Sequence, residues 1–254
     1  MVECPGLKTI HKEYNINTPK QVTWNKGDIC TYVPILGVGH PRTGTGYTSK
    51  ILKKWNVDVG HEYIGKDGIV SWFLTFNESD YLWQHEFDGR PDYDHLIYNT
   101  RDPKTSLASI VYTETPHTVK SHFDDQRGVF VVKGKSIERH DFISHRWRRI
   151  RIPGMEQKNP IETAIISVCT FNKLINKLKP DVTYRIEDQP YKLFEYISQF
   201  YPQAEYVEQP EKYNTRKHAP YEEMIYDFGK PRDVYIDMIN EYCVEHGYEE
   251  IYFK

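Results

Sequence analysis

The residues Gly39-His-Pro-Arg-Thr-Gly-Thr-Gly46 stand between an apolar run and a stretch with helical spacing. A glycine-bearing turn at a helix start lines up successive backbone N–H groups, and the helix adds about half a unit of positive charge, so a phosphate held there needs no metal. A nucleotide-hydrolysing loop would end in Gly-Lys and then Ser or Thr, the lysine for the outer phosphates and the hydroxyl for Mg²⁺. Here Thr45 and Gly46 take those places, which disfavours the usual phosphoryl transfer and leaves Arg42 as the cation of the loop. Arginine is permanently charged and forked, suited to a phosphate oxygen and to the charge growing on a leaving group. A second candidate anion site is Arg101, at the end of a predicted strand, with Ser109 eight residues on after two helical turns.

The elements that must position these groups alternate. Residues 32–37 form a short apolar run ended by glycine, the pattern of a buried strand in a parallel sheet. Tyr47, Ile51, Leu52 and Trp55 recur at helical spacing. A second strand is expected over 57–59, ending at Gly60, then an apolar helical segment over 69–76. A strand over 95–100 follows, delivering the chain into a helix opened by Pro103. Ile161, Ala164, Ile165, Val168, Phe171, Ile175 and Leu178 mark one apolar helix face closed by Pro180, and residues 182–186 make a further strand. Helices over 191–200 and 234–245 complete the series. The expectation is an α/β, three-layer P-loop-type domain, its central, mainly parallel sheet covered by helices on both faces. No linker or repeat divides the chain, so residues 1–254 read as one domain, with 113–154 as an insertion covering the acceptor site.

Two of these motifs resemble those of the sulfotransferase family, whose donor is 3′-phosphoadenosine 5′-phosphosulfate (PAPS). Pro41-Arg-Thr-Gly-Thr45 is similar to the family's 5′-phosphosulfate loop, and Arg101-Asp-Pro with Ser109 to its 3′-phosphate site. Gly60-His-Glu62, Gly68-Ile-Val-Ser-Trp72 and Tyr184-Arg-Ile-Glu-Asp188 resemble later landmarks in order. The resemblance makes Arg42 the catalytic cation. Thr43, Gly44, Thr45, Gly46 and Tyr47 become donor-binding residues, joined by Arg101 and Ser109. It departs from the family at Gly46, where a second Thr or Ser is common, and in lacking the C-terminal R-K-G-x-x-G pattern, for which Asn214-Thr-Arg-Lys-His218 offers only basic groups.

What the resemblance implies is an enzyme moving a sulfuryl group from PAPS to a hydroxyl or amine of a small molecule, sugar or lipid, by in-line displacement without metal. Glu62 is then the expected base, with His61 as its rival. Histidine titrates nearer neutral pH, whereas Glu62 needs burial to raise its pKa. Two other readings stand beside this one: a nucleotide or small-molecule kinase with a modified phosphate loop, and a nucleotide-binding module without catalysis.

Composition narrows the field. The chain has 254 residues, 39% hydrophobic and 27% charged, with a net charge of −3, so no global charge steers it to nucleic acid or an anionic membrane. Cys4, Cys30, Cys169 and Cys243 form no C-x-x-C pair, which points to a reducing compartment rather than a zinc knuckle or disulfide framework. No apolar stretch reaches membrane-spanning length and the start lacks a signal-peptide pattern, so a cytoplasmic protein is expected. His117, His122, His140 and His145 match no metal-ligand spacing, the basic run 146–151 reads as a solvated strand face, and Trp72, Trp83 and Trp147 as core aromatics.

Overall fold

Strand β1, Tyr32–Val38, is buried along nearly its whole length, as a strand flanked on both sides and covered on both faces must be. The computed structural model describes residues 30–77, 89–113, 121–124, 129–132, 135–137, 148, 151–155, 159–208 and 220–253. Within them the chain folds as two compact units, the first comprising the described parts of 1–101 and 171–213, the second those of 102–170 and 214–254.

In the first unit, β1 leads into helix α1, Thr45–Lys54, then β2, Val59–His61, and β3, Gly68–Val70. Strand β4 spans Asp92–Thr100, and after helices α2, Pro103–Thr113, and α3, Pro160–Lys177, strand β8 spans Val182–Arg185 and helix α4 Pro190–Ser198. The five strands form one sheet in the order β2-β3-β1-β4-β8, and each neighbouring pair is parallel. One face packs Ile35, Ile97, Val182 and Tyr184 against Ile51, Leu52 and Trp55 near α1 and against Leu193 and Ile197 of α4. On the other face the rings of His40, Trp72 and Phe76 pack on Phe171 of α3, and the Tyr98 hydroxyl donates to Asn172 Oδ1 at 2.9 Å. The expected α/β arrangement, a parallel sheet between helical layers, is therefore what forms.

Two expectations need correction. The apolar run 69–76 is not a helix: Gly68–Val70 is strand β3, and only Phe73–Thr75 makes a 3₁₀ turn. A short apolar run has no period that tells strand from helix. Here it is captured by β1, whose Ile35 N–H donates to Asp67 O and whose Gly37 O accepts from Ser71 N–H. The second strand is likewise displaced, running through Gly60 to His61 because its register on β3 pairs Val59 with Gly68 and His61 with Val70.

The second unit packs Leu107, Ile110 and Val111 of α2 with Ile161, Ile165 and Val168 of α3. Ile239 and Cys243 of α6, Asp233–His246, join this core, as does Met224 of the short α5, Met224–Phe228. Asp102 caps α2 through the Lys104 N–H, and Asn159 caps α3 through the Ile161 N–H at 2.8 Å, each with proline as the first helical residue. Glu162 is clasped by Arg232, whose Nε, Nη2 and backbone N–H all donate to it. Strands β5, Ser121–Asp124, β6, Val129–Val132, and β7, Lys135–Ile137, form an antiparallel ladder inside the segment 113–154.

Candidate functional site

Because the five strands run parallel, their carboxyl ends share one edge of the sheet. The chain leaves β1 for β2 and β3 on one side and returns for β4 on the other, so β1 marks the switch point outside which ligands of open α/β sheets bind. The segments leaving this edge carry Arg42, His61, Glu62, Ser71 and Arg101.

The turn after β1 is built for close approach. Arg42 and Gly44 are both left-handed, with φ of 77° and 97°, a conformation that costs a non-glycine residue about 1–3 kcal/mol and is held only where surroundings impose it. Strand β4 supplies that constraint. Asn99 Nδ2 donates to Thr43 O at 2.8 Å and Thr43 Oγ1 at 3.2 Å, Arg101 Nη1 donates to Arg42 O at 3.0 Å, and Thr43 Oγ1 donates to His40 O at 2.6 Å. A Cβ at Gly39 would lie 2.7 Å from the Asn99 amide, so glycine is what lets this clamp close. On the helix side, Thr48 Oγ1 donates to Gly44 O at 3.1 Å and meets the Tyr184 hydroxyl at 2.7 Å.

Helix α1 begins at Gly44 with no side-chain cap and no acidic residue in its first turn. The first helix-forming backbone bond is from Thr48 N–H to Gly44 O, so the N–H groups of Thr45, Gly46 and Tyr47 meet no acceptor among the described residues. Unsatisfied donors at the positive end of a ten-residue helix are an anion site in waiting. The Tyr47 hydroxyl is buried without a hydrogen-bond partner among the described residues, and burial pushes it up to about 12.

The turn after β2 presents a carboxyl rather than a row of backbone donors. Gly60 has no alternative, since a Cβ there would stand 1.8 Å from Tyr63 O. Glu62 is left-handed at φ 59° and its N–H donates to Val70 O at 3.1 Å, which turns its side chain back to the end of β3. There Ser71 Oγ, which accepts from Phe73 N–H at 3.3 Å, gives its one proton to Glu62 Oε2 at 2.6 Å, and Trp72 N–H also bonds the carboxylate. Oε1 is shut off from solvent with no hydrogen-bond partner among the described residues, and His61 Nε2 lies 3.7 Å from it. Burial raises the Glu62 carboxyl to about 7, against the downward pull of those two hydrogen bonds. Partial burial holds the His61 imidazole below its ordinary value. His61 Nε2 also lies 3.2 Å from Thr45 Oγ1, so it stands between the start of α1 and Glu62.

The fold therefore gathers Arg42, Thr43, Gly44, Thr45, Gly46 and Tyr47 into one turn, brings His61 onto Thr45, and sets Arg101 beneath Arg42. Ser109 is buried on α2 in the second unit. Asn99 and Ser71 escaped the sequence reading. A polar residue at the carboxyl end of an apolar strand, as in Leu96-Ile-Tyr-Asn-Thr100, was the only signal for the first. Trp72 is buried as expected of a core aromatic. The solvated strand face expected over 146–151 is corrected at Arg148, which is helical and fully buried and donates from Nη1 to Ser167 Oγ at 2.7 Å. Trp83, Trp147, His117, His140, His145, the rest of that run except Arg151, and the basic segment 214–218 lie outside the described residues.

Among the described residues no three His, Cys, Asp or Glu side chains are grouped to hold a metal, and no helix is long and apolar enough to cross a membrane. Comparison with known protein families, curated proteins and solved structures finds no match to this chain.

Proposed function

We propose that this chain is a sulfotransferase that moves a sulfuryl group from PAPS to a hydroxyl or amine of a small-molecule, carbohydrate or lipid acceptor. The observation that carries the reading is the uncapped start of α1, linked through Thr45 and His61 to the buried Oε1 of the Glu62 carboxylate on the same sheet edge. An anion site and a base side by side are what an in-line displacement requires. The donor fits the residues present, because the loop offers backbone donors, glycines that permit close approach and one arginine.

In this reading the N–H groups of Thr45, Gly46 and Tyr47, with Arg42, stabilise negative charge growing on the departing 5′-phosphate while its bond to sulfur breaks. Glu62 takes the proton from the acceptor as the acceptor's oxygen or nitrogen bonds to sulfur. A carboxyl near 7 is matched to that task at neutral pH, which favours Glu62 over His61 as the base. The assignment of Arg101 and Ser109 to the 3′-phosphate rests on their spacing. A cytoplasmic setting agrees with Cys30, Cys169 and Cys243 being buried free thiols.

Thermal denaturation tests the donor. Adenosine 3′,5′-bisphosphate is expected to raise Tm well above the shift given by 5′-AMP. Equal shifts would remove the 3′-phosphate assignment. Turnover that collapses in chelator would favour the kinase reading instead. Arg42→Ala is expected to lower kcat by at least about a hundredfold; a protein that binds the bisphosphate but shows no turnover to lose is a binding module.

A further inference from the structure

Gly46 and His61 are a matched pair. A Cβ at position 46 would sit 3.3 Å from His61 Cε1 and 3.5 Å from both ring nitrogens, so the imidazole packs directly over Gly46 and a side chain there would press on it. The ring thereby becomes the polar side chain lying over the first turn of α1. Its Nε2 faces two oxygens, Thr45 Oγ1 at 3.2 Å and Glu62 Oε1 at 3.7 Å. Oε2 is already held by Ser71, which leaves Oε1 as the oxygen free to carry a proton.

We propose that an anion at the start of α1 arms the base: when a phosphate-class dianion seats there, the proton on Glu62 Oε1 passes to His61 Nε2 and leaves Glu62 ionised. This rests on the reading of that turn as the donor site. The O–H bond at Oε1 breaks and an N–H bond at Nε2 forms, with no proton drawn from outside. In the anion-free protein His61 is neutral with its proton on Nδ1, and Nε2 accepts from the Thr45 hydroxyl. Closing 3.7 Å to hydrogen-bond distance takes a movement of about 1 Å.

The direction follows from distance. His61 touches Thr45 and packs over Gly46, whereas the Glu62 carboxylate is pinned one step behind at Ser71 and Trp72. A dianion at the helix start therefore attracts an imidazolium more strongly than it repels the carboxylate. Among the described residues the other groups facing the pair are Thr45 and Gly46 of α1, the Ser71 hydroxyl and the Trp72 N–H, all uncharged. Among the described residues no charged group shifts either member, so the arriving ligand sets the proton's position. The consequence is an order of events in which the acceptor meets an ionised base only after the donor is bound.

Nuclear magnetic resonance on the whole chain tests this, with ¹⁵N in histidine, ¹³C at the glutamate carboxyl carbon, and His61→Asn and Glu62→Gln for assignment. At pH 7, saturation with adenosine 3′,5′-bisphosphate is expected to move His61 Nε2 to its imidazolium position while the Glu62 carbon moves to that of an ionised carboxylate. Opposite movements are the signature, since an anion acting merely as a nearby charge would drive protons onto both groups. A His61 that stays neutral with the bisphosphate bound, or two groups that gain protons together, overturns the proposal and leaves the donor site standing. No binding of the bisphosphate by calorimetry overturns the donor site and this proposal with it.

Discussion

The turns after β1 and β2 leave the same edge of one sheet, yet they treat their polar groups in opposite ways. In the first, Asn99, Arg101, Thr43 and Thr48 clamp the backbone through hydrogen bonds, and the helix N–H groups, the Tyr47 hydroxyl and Asn99 Oδ1 are left without a hydrogen bond among the described residues. In the second, one carboxylate oxygen is satisfied and the other is buried without a hydrogen bond among the described residues. A turn clamped through its backbone keeps its donors in one geometry, whereas a half-satisfied buried carboxyl has its pKa moved toward neutrality and can exchange a proton. One sheet edge thus pairs a row of backbone donors with a titratable carboxyl.

The strongest way to break this contrast is Glu62→Gln, which on the proposed reading removes the general base and is expected to lower kcat by roughly a hundredfold to ten-thousandfold. The same variant has a stability signature. A carboxyl raised from 4.5 to about 7 is protonated in the folded state and ionised in the unfolded state between those values. Wild-type stability should therefore fall as pH rises through that window, by at most about 3 kcal/mol, and the fall should vanish in Glu62→Gln. Urea titrations from pH 4 to 8 measure it, and a wild-type slope equal to that of the variant would show that Glu62 is an ordinary exposed carboxylate.

Asn99→Ala probes the holding side. Losing the two bonds to Thr43 in a buried site is expected to cost about 1–3 kcal/mol and to weaken bisphosphate binding by about tenfold, with the pH dependence of stability unchanged. If that pH dependence changed as well, the two turns would not be the independent devices described above. The smallest effect is expected from Ser71→Ala. Removing the hydroxyl that favours the ionised carboxylate should move the upper end of the stability decline upward from about 7, at a cost of about 1 kcal/mol. An upper end that stayed in place would separate Ser71 from Glu62.

The helical covering of the sheet, the strand before the loop and the helix after it were legible because each carries a local signal: an apolar run ended by glycine, a spacing of three and four, a proline at a helix start. The short strand β3 was not. Gly68-Ile-Val70 has no period of its own, and it extends because Ile35 and Gly37 offer hydrogen bonds on the central strand. Among the site residues, Arg42 and Glu62 stood out by type and position, while Asn99 and Ser71 did not, because an amide or a hydroxyl gains meaning only from the atom it faces.

By itself, then, the sequence determined the order of strand, turn and helix, the glycines that permit it, and which charged side chains lie at the turns. These properties depend on neighbours along the chain, where sterics and spacing act directly. Tertiary structure alone decided that His61 lies over Gly46, that Ser71 takes one oxygen of Glu62, and that the other oxygen lacks a hydrogen bond among the described residues. Those depend on the parallel register of β2 on β3 and on the depth to which the sheet edge buries a charge, and Coulomb energy and desolvation are set by distances through space.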